Sequence, residues 1–316
     1  MDYRELGRTG LKVSRLCFGS LTMGPLQANL SVGEGAGLIE YAMDKGINFL
    51  DTAELYDNYR YIKEAIKGRP REDLIIVTKT YAFTAELADR SLRKALKEMS
   101  LDYVDVFMLH EQESELTLRG HYEAIEYFLK AKEKGDIRHF GISTHSIRGV
   151  SDSIKWNEIE IIHPIVNKSG LGIVDGGIQE MLDAVEKAYL AGKGIYAMKP
   201  LGGGNLIPQF RECIEYVLEI PFIQSVAIGM QCREEIDVNV AIAEGQSADP
   251  ELERVLSERK RRLHIAKWCE GCGRCVEACG QGALFVDGGK VRVRHEKCTL
   301  CGYCASKCSN FCIKVV

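Results

Sequence analysis

The sequence predicts an α/β protein: a (β/α)8 TIM barrel of eight parallel strands, followed by a small α+β unit rich in cysteine. Three observations carry this. Between residues 14 and 244, short apolar runs alternate eight times with longer stretches of helical periodicity, the count and order of such a barrel. The first strand leads into FGSLTMGP, not into the GxGxxG loop that announces a doubly wound open sheet. Nine of the 12 cysteines fall between Cys269 and Cys312, and that shift in composition divides the chain at 1–255 and 256–316.

The elements follow in order. YRELGRTGLKV (3–13) reads as a hairpin turning at Arg8-Thr9-Gly10. SRLCFGS (14–20) is the first barrel strand, and SVGEGAGLIEYAMDKG (31–46) a helix closed by Gly46. INFLD (47–51) and the helix 59–68, then LIIVTK (74–79) and the helix 84–100, are the next two units. In the latter helix Leu87, Leu92, Ala95, Leu96 and Met99 recur at helical spacing. VDVFMLH (104–110) with helix 118–135, HFGIST (139–144) with helix 147–155, and EIIHPIVN (160–167) with helix 176–192 continue the alternation. GIYAMKP (194–200) with helix 210–220, and SVAIG (225–229) with helix 233–244, complete it. Residues 249–268 read as a charged helix or linker, and ALFVDGGKVRV as a hairpin around Asp287-Gly288-Gly289.

Composition excludes several function classes. Hydrophobic content of 46% and charged content of 27% are those of a globular protein. A net charge of −4 offers no electrostatic footprint for nucleic acid or an anionic membrane surface. The N-terminus lacks the apolar core of a signal peptide, and no apolar run approaches the roughly 20 residues that span a bilayer. The expected location is the cytoplasm, where clustered CxxC units point to metal binding over a disulfide framework.

Catalytic groups of a barrel come from the C-terminal ends of its strands. The second, third and fourth strands end on Asp51, Lys79 and His110, and Tyr56 follows Asp51 in the next loop. Singly, each has a plain structural role: an acid capping a helix, a surface tyrosine, a solvated lysine, a satisfied histidine. Together they form a proton-transfer set. Lys79 beside Tyr56 favours the phenolate and lowers the phenol's pKa, Asp51 holds Lys79, and neutral His110 orients a substrate oxygen while Tyr56 donates a proton. No side chain supplies a hydride, so a bound reduced cofactor must.

In the order YRELGRTGLKVSRLCFG, LDTAELY, VTK, DYVDVFMLH, FGIST and MKPLGGG, the chain from about Met1 to Glu244 resembles the aldo-keto reductases. The resemblance implies the tetrad Asp51, Tyr56, Lys79 and His110, a small-molecule carbonyl or alcohol as substrate, and NAD(P)(H) bound without a Rossmann fold. It implies cofactor contacts at Gly19 and Ser20, at Ser143 and Thr144 for the carboxamide, and at Met198, Lys199, Pro200, Leu201 and Gly203 for the nicotinamide and pyrophosphate. Gly229, Met230, Glu235 and Asn239 fall around the adenosine half. Turn geometry alone also accounts for the glycines. Three positions depart from the family's habit: Met198 replaces an aromatic ring, His163 stands where Gln is common on the sixth strand, and no aromatic precedes Asn167. Glu235 stands where an Arg would meet the 2′-phosphate of NADP, which favours NAD.

In the C-terminal unit, Cys269-x2-Cys272-x2-Cys275-x3-Cys279 is repeated 29 residues later as Cys298-x2-Cys301-x2-Cys304-x3-Cys308. This spacing resembles the bacterial two-cluster ferredoxin, whereas zinc sites use separated ligand pairs. The resemblance implies two [4Fe-4S] clusters with the fourth cysteines crossing over: Cys269, Cys272, Cys275 and Cys308 for one, Cys298, Cys301, Cys304 and Cys279 for the other. The proline usual after the fourth cysteine is replaced by Gly280 and Ser309, and Cys312 is left to fill a small core.

Two functions follow. One is an enzyme exchanging hydride between NAD(P)(H) and a carbonyl or alcohol, its clusters serving a redox partner protein or bracing the fold. The other is an electron-transfer protein that uses the barrel as a docking surface, against which the intact tetrad argues. Hydride moves two electrons and a cluster one, so direct exchange needs a splitter such as a flavin. No flavin motif is visible, although a barrel has room for one.

Overall fold

The computed structural model describes residues 1–316. A hairpin of β1 (Tyr3–Glu5) and β2 (Lys12–Ser14) leads into β3 (Leu16–Gly19), α1 (Val32–Asp44), β4 (Phe49–Asp51), α2 (Tyr59–Ala65), β5 (Ile75–Thr80), α3 (Ala85–Met99) and β6 (Val104–Leu109). Next come α4 (Glu115–Gly120), α5 (Tyr122–Lys134), β7 (Ile137–Thr144), α6 (Ile147–Ser153), β8 (Ile161–Pro164), α7 (Ile178–Leu190), β9 (Gly194–Met198), α8 (Phe210–Glu219), β10 (Ser225–Gly229) and α9 (Arg233–Ala243). After α10 (Pro250–Glu258), the C-terminal unit holds β11 (Leu263–Ile265), α11 (Arg274–Glu277), β12 (Leu284–Asp287), β13 (Lys290–Val293) and β14 (Ile313–Val315).

Strands β3 to β10 close into a barrel, each parallel to its neighbours, with β10 returning to β3. Two cores result. A large one, 59 buried residues, lies between strands and helices. A second of 12 residues fills the barrel interior, where Cys17, Phe49, Ile75, Val77, Val106, Met108, Ile161, Tyr196 and Ala227 meet. Leu6, Leu11 and Val13 join this interior core. The hairpin therefore plugs the bottom of the barrel, and Gly7 packs against the start of β9 so closely that a Cβ there would overlap the Gly194 backbone.

Alternation along the strands then dictates the top. Successive side chains face opposite sides, so two residues past Val77, Met108, Phe49 and Ile161 the inward positions are Lys79, His110, Asp51 and His163. The polar ring is the last layer of an otherwise apolar stack.

The structure differs from sequence expectation at three places. The helix expected over 118–135 is two, α4 and α5, broken at His121 after Gly120, a poor helix residue. The segment 249–268 is helical only to Glu258, where Arg259 leaves the helix to reach Gln231 and Glu235. From Leu263 the chain is already a strand, paired antiparallel with β14.

The C-terminal unit packs on the barrel through β14 and the residues just before it. Asn205 donates to the Ile313 carbonyl, 3.2 Å. A Cβ on Gly172 would lie 2.5 Å from the Phe311 ring, and one on Gly204 would overlap the Val315 carbonyl oxygen. Gly202, Gly203 and Gly204 all take left-handed φ (55°, 67° and 89°). The triplet after β9 is thus both a turn and a bare landing strip for β14. Gly204→Ala should add overpacking of about 1–3 kcal/mol to left-handed strain of about 1–2 kcal/mol. Gly10→Ala, also left-handed but with nothing within 4 Å, carries the strain alone. Anaerobic urea unfolding and hydrogen exchange of residues 311–316 should separate the two variants. Equal effects would remove docking from the account.

Candidate active site and iron–sulfur unit

Asp51 and Lys79 are 3% and 1% exposed. Lys79 Nζ donates to Asp51 Oδ1 (2.7 Å), Asp51 Oδ2 (2.6 Å) and the Thr52 carbonyl (2.9 Å), which uses all three ammonium protons. Tyr196, from the opposite wall, donates to Asp51 Oδ2 at 2.9 Å and stacks on His163 with centroids 3.8 Å apart. His163 Nδ1 lies 2.6 Å from the Tyr196 carbonyl, which can only accept, so Nδ1 carries the proton. Burial, with Lys79 adding, holds His163 well below the usual imidazole range.

Tyr56 lies on the loop after β4, its ring centroid 5.4 Å from Lys79 Nζ and 5.9 Å from the His110 ring. Its phenol is pushed well above the ordinary value by burial, with Asp51, Glu111 and Tyr81 adding. This runs opposite to the expectation that Lys79 lowers it. The physical reason is that Lys79 spends its donors on Asp51 and Thr52, so burial dominates. His110 is held at about 3 by burial, and its buried Nδ1 has no hydrogen-bond partner. The ring is therefore neutral, as the proton-transfer scheme requires.

A second polar group stands beside the first; the sequence pointed to its Lys199 as a cofactor contact but not to its Glu111. Glu111, two residues past β6, and Lys199, one past β9, both have left-handed φ (53° and 60°), a strained choice for residues with a Cβ. Tyr81 stacks on His110 at 4.6 Å and donates to Glu111 at 2.6 Å. Lys199 Nζ meets His145 Nε2, and burial brings Lys199 down to about 8 despite Glu111. The His145 and Lys199 side chains both touch the Phe311 ring.

From this rim runs a groove of about 570 Å³. Of the residues expected to hold a dinucleotide, Gly19, His163, Met198, Lys199, Pro200, Leu201, Gly203, Gly229, Glu235 and Asn239 line it. Ser20, Ser143, Thr144 and Met230 do not. The Ser20 hydroxyl donates to the Asp51 carbonyl, 2.8 Å, and Ser143 Oγ accepts from the Glu111 N–H, 2.9 Å. Thr144, one residue on, faces the helices, where its hydroxyl bonds Ser146, and Met230 is wholly buried in the outer core. Leu55, Tyr81 and Phe83 are exposed at the rim, whereas Met23 is buried. Glu235 is no free acid: Arg259 pairs with it at 3.0 Å and Arg261 at 3.7 Å. The glycine-lined, mostly apolar groove fits a dinucleotide.

In the C-terminal unit one of the two expected sets of cysteines lines a common cavity. Cys269, Cys272, Cys275 and Cys308 line one small cavity together with Cys312. Cys298, Cys301 and Cys279 all act electrostatically on Cys304, as does Cys275 of the other group. Four cysteines are the number that a cubane takes, one to each iron. The donor chemistry fits such an anionic group. Cys308 is lowered to about 6 by the Cys312 thiol and by the N–H groups of Cys312, Asn310 and Ile313. For Cys279, burial pushes upward but is outweighed by N–H groups from Ala283, Gln281, Leu284 and Gly282. Cys312 is buried, and its N–H donates to Cys308 Sγ at 3.1 Å.

Residues 15–212 match the family described as "Aldo/keto reductase family", and residues 262–309 match "4Fe-4S dicluster domain". The chain is 28% identical over 223 residues to L-galactose dehydrogenase of Arabidopsis thaliana, covering 66% of this chain and 68% of that one. It is 24% identical over 317 residues to the uncharacterized oxidoreductase YqkF of Bacillus subtilis (strain 168), covering 84% and 99%. Its fold is shared with an aldo-keto reductase from Bacillus halodurans, TM-score 0.65 at 21% identity, covering 82% of this chain and 96% of that one. No helix is long and apolar enough to cross a membrane.

Between about 3 and the ~6.5 of an unfolded imidazole, the unfolded chain binds a proton that buried His110 refuses. The contribution of His110 to stability is therefore complete above that window and falls as pH drops through it, by up to about 1.4 kcal/mol per pH unit. Urea midpoints measured across the window should show a shallower acid decline in His110→Asn than in wild type. Parallel declines would assign the titration to other groups.

Proposed function

Because the chain belongs to the aldo/keto reductase family, we propose that it interconverts a small-molecule carbonyl compound and an alcohol, using NAD(P)(H) as hydride carrier. Its C-terminal unit, from about residue 256, holds two [4Fe-4S] clusters. The observation that carries the reading is one rim where a phenol, a buried ion pair and a neutral imidazole meet beside a glycine-lined groove.

The nicotinamide, when bound, exchanges the hydride that no side chain can. Gly19, Leu201, Gly203, Gly229 and Asn239 are the residues to hold the dinucleotide along the groove. Tyr56 gives its proton to the substrate oxygen as the carbonyl becomes an alcohol and takes it back in the reverse direction. A phenol held above its usual pKa is a reluctant acid. It releases the proton only as the oxygen gains charge, and Lys79 then favours the phenolate left behind. Neutral His110 hydrogen-bonds the same oxygen without bringing a competing charge. Asp51 keeps Lys79 fixed beside the phenol through both carboxylate oxygens.

Cys269, Cys272, Cys275 and Cys308 hold one cluster, and Cys298, Cys301, Cys304 and Cys279 the other. The clusters provide one-electron centres and brace β14. The exposed Cys272 and Cys301 leave an edge of each within reach of a redox partner protein. Such thiolate chemistry suits a reducing compartment, the cytoplasm.

The test is anaerobic NADH and NADPH oxidation against a panel of carbonyl compounds, with iron and sulfide quantified in the same samples. Tyr56→Phe should lose about 10²–10⁴-fold in kcat while keeping cluster absorbance and nucleotide affinity. Undiminished turnover in that variant would remove Tyr56 as the acid.

A further inference from the structure

The groove is not closed by the barrel alone. Arg259 and Arg261 of the connecting segment, and Lys314 and Val315 of β14, line it too. Among the groove's cations only Lys199 belongs to the barrel, and it is turned toward His145. Every other one comes from beyond residue 256.

We infer that the C-terminal extension completes the nucleotide site: Lys314 meets the pyrophosphate, and Arg259 with Arg261 meets the 2′-phosphate of NADP(H). This rests on the nicotinamide reading above. Lys314 is 5% exposed, and its ammonium makes no hydrogen bond or ion pair within the chain. It sits 3.1 Å from the centroid of the Phe311 ring, with its stem against Gly203, where a Cβ would lie 2.9 Å from Lys314 Cδ. Gly203 is also one of the groove residues expected at the pyrophosphate. Burial, with Lys199 adding, holds the Lys314 amine well below its ordinary range, because no anion in the chain balances its charge. A pyrophosphate in the groove that Lys314 lines supplies that missing counter-charge, so the amine takes up a proton and donates to it on binding.

The arginines alter the meaning of Glu235. As a bare acid it would repel a 2′-phosphate. Arg259 bonds both Glu235 and the Gln231 side chain, and Arg261 approaches the same carboxylate. Two guanidiniums against one carboxylate leave a net positive charge at the adenosine end. The preference expected from Glu235 alone is reversed, and NADPH binds more tightly than NADH.

Equilibrium titration of anaerobic, cluster-replete protein with NADPH and with NADH, followed calorimetrically, tests this without turnover. Lys314→Met and Lys314→Gln, two neutral replacements of similar length, should each weaken both nucleotides by roughly 10–100-fold. Lys314→Arg should stay near wild type. The double variant Arg259→Met/Arg261→Met should lose affinity for NADPH and little for NADH. Cluster absorbance identifies any neutral Lys314 variant that fails to assemble, and the other then decides. Wild-type affinity in an assembled neutral variant would overturn the role of Lys314. Equal losses of both nucleotides in the double variant, or wild-type preference for NADH, would overturn that of the arginines. A wild-type protein that binds neither nucleotide would instead refute the nicotinamide reading on which both depend.

Discussion

A carboxylate and an ammonium, both almost wholly withdrawn from water, crown an apolar stack, and each is tolerable only because of the other. Removing one partner of such a pair strands a buried charge at a cost of about 3–5 kcal/mol. The surroundings complete the arrangement. Lys79 has three protons and three acceptors, and Asp51 takes a further hydrogen bond from Tyr196 across the barrel. The pair thereby ties β4, β5 and β9 together at the layer where the core ends and the chemistry begins. Tyr56, His110 and His163 are arranged around a charge that cannot move.

How much of this could be read in advance follows from sequence distance. Asp51, Lys79 and His110 were legible because each ends a short apolar run, and the period-two alternation that buries Val77 and Met108 also aims Lys79 and His110 inward. The same alternation separates Ser143 from Thr144: neighbours in sequence cannot both face the mouth of a barrel. Tyr196 was hidden because an aromatic residue inside a strand looks like core, and here it is core and hydrogen-bond donor at once. Glu111 was hidden because nothing in the sequence reveals that a residue with a Cβ will accept a left-handed backbone, and Lys199, expected beside the cofactor, was hidden only in taking that same conformation.

Glu235 shows the limit most clearly. Read within its own helix it is an uncompensated acid. Its partners lie 24 and 26 residues later, in a stretch whose charges suggested a solvated linker. Charge balance at a site is a property of the folded assembly, and a local alignment cannot supply it. The glycines after β9 teach the same lesson. Their left-handed φ was foreseeable, but the close approach of Val315 and Phe311 that makes them necessary comes from a unit that spacing alone assigned to separate chemistry.

That close approach bears on the mismatch between a carrier of two electrons and clusters that move one. Direct exchange between them needs an intermediary, but coupling does not need direct exchange. β14 begins one residue after Cys312, whose N–H holds the Cys308 sulfur, and ends against the glycine triplet that borders the groove. On the ligand assignment proposed above, a cluster bound through Cys308 would fix the start of this strand, and the strand lines one wall of the groove. Charge placement favours such a division of labour. A further cation on a barrel strand would compete with Lys79 for Asp51 at an effective dielectric where a contact at 4 Å is worth about 4 kcal/mol. A lysine carried on β14, and seated on the Phe311 ring, lines the groove without entering the buried pair. The two halves are therefore coupled through backbone and charge, whichever way electrons travel between them.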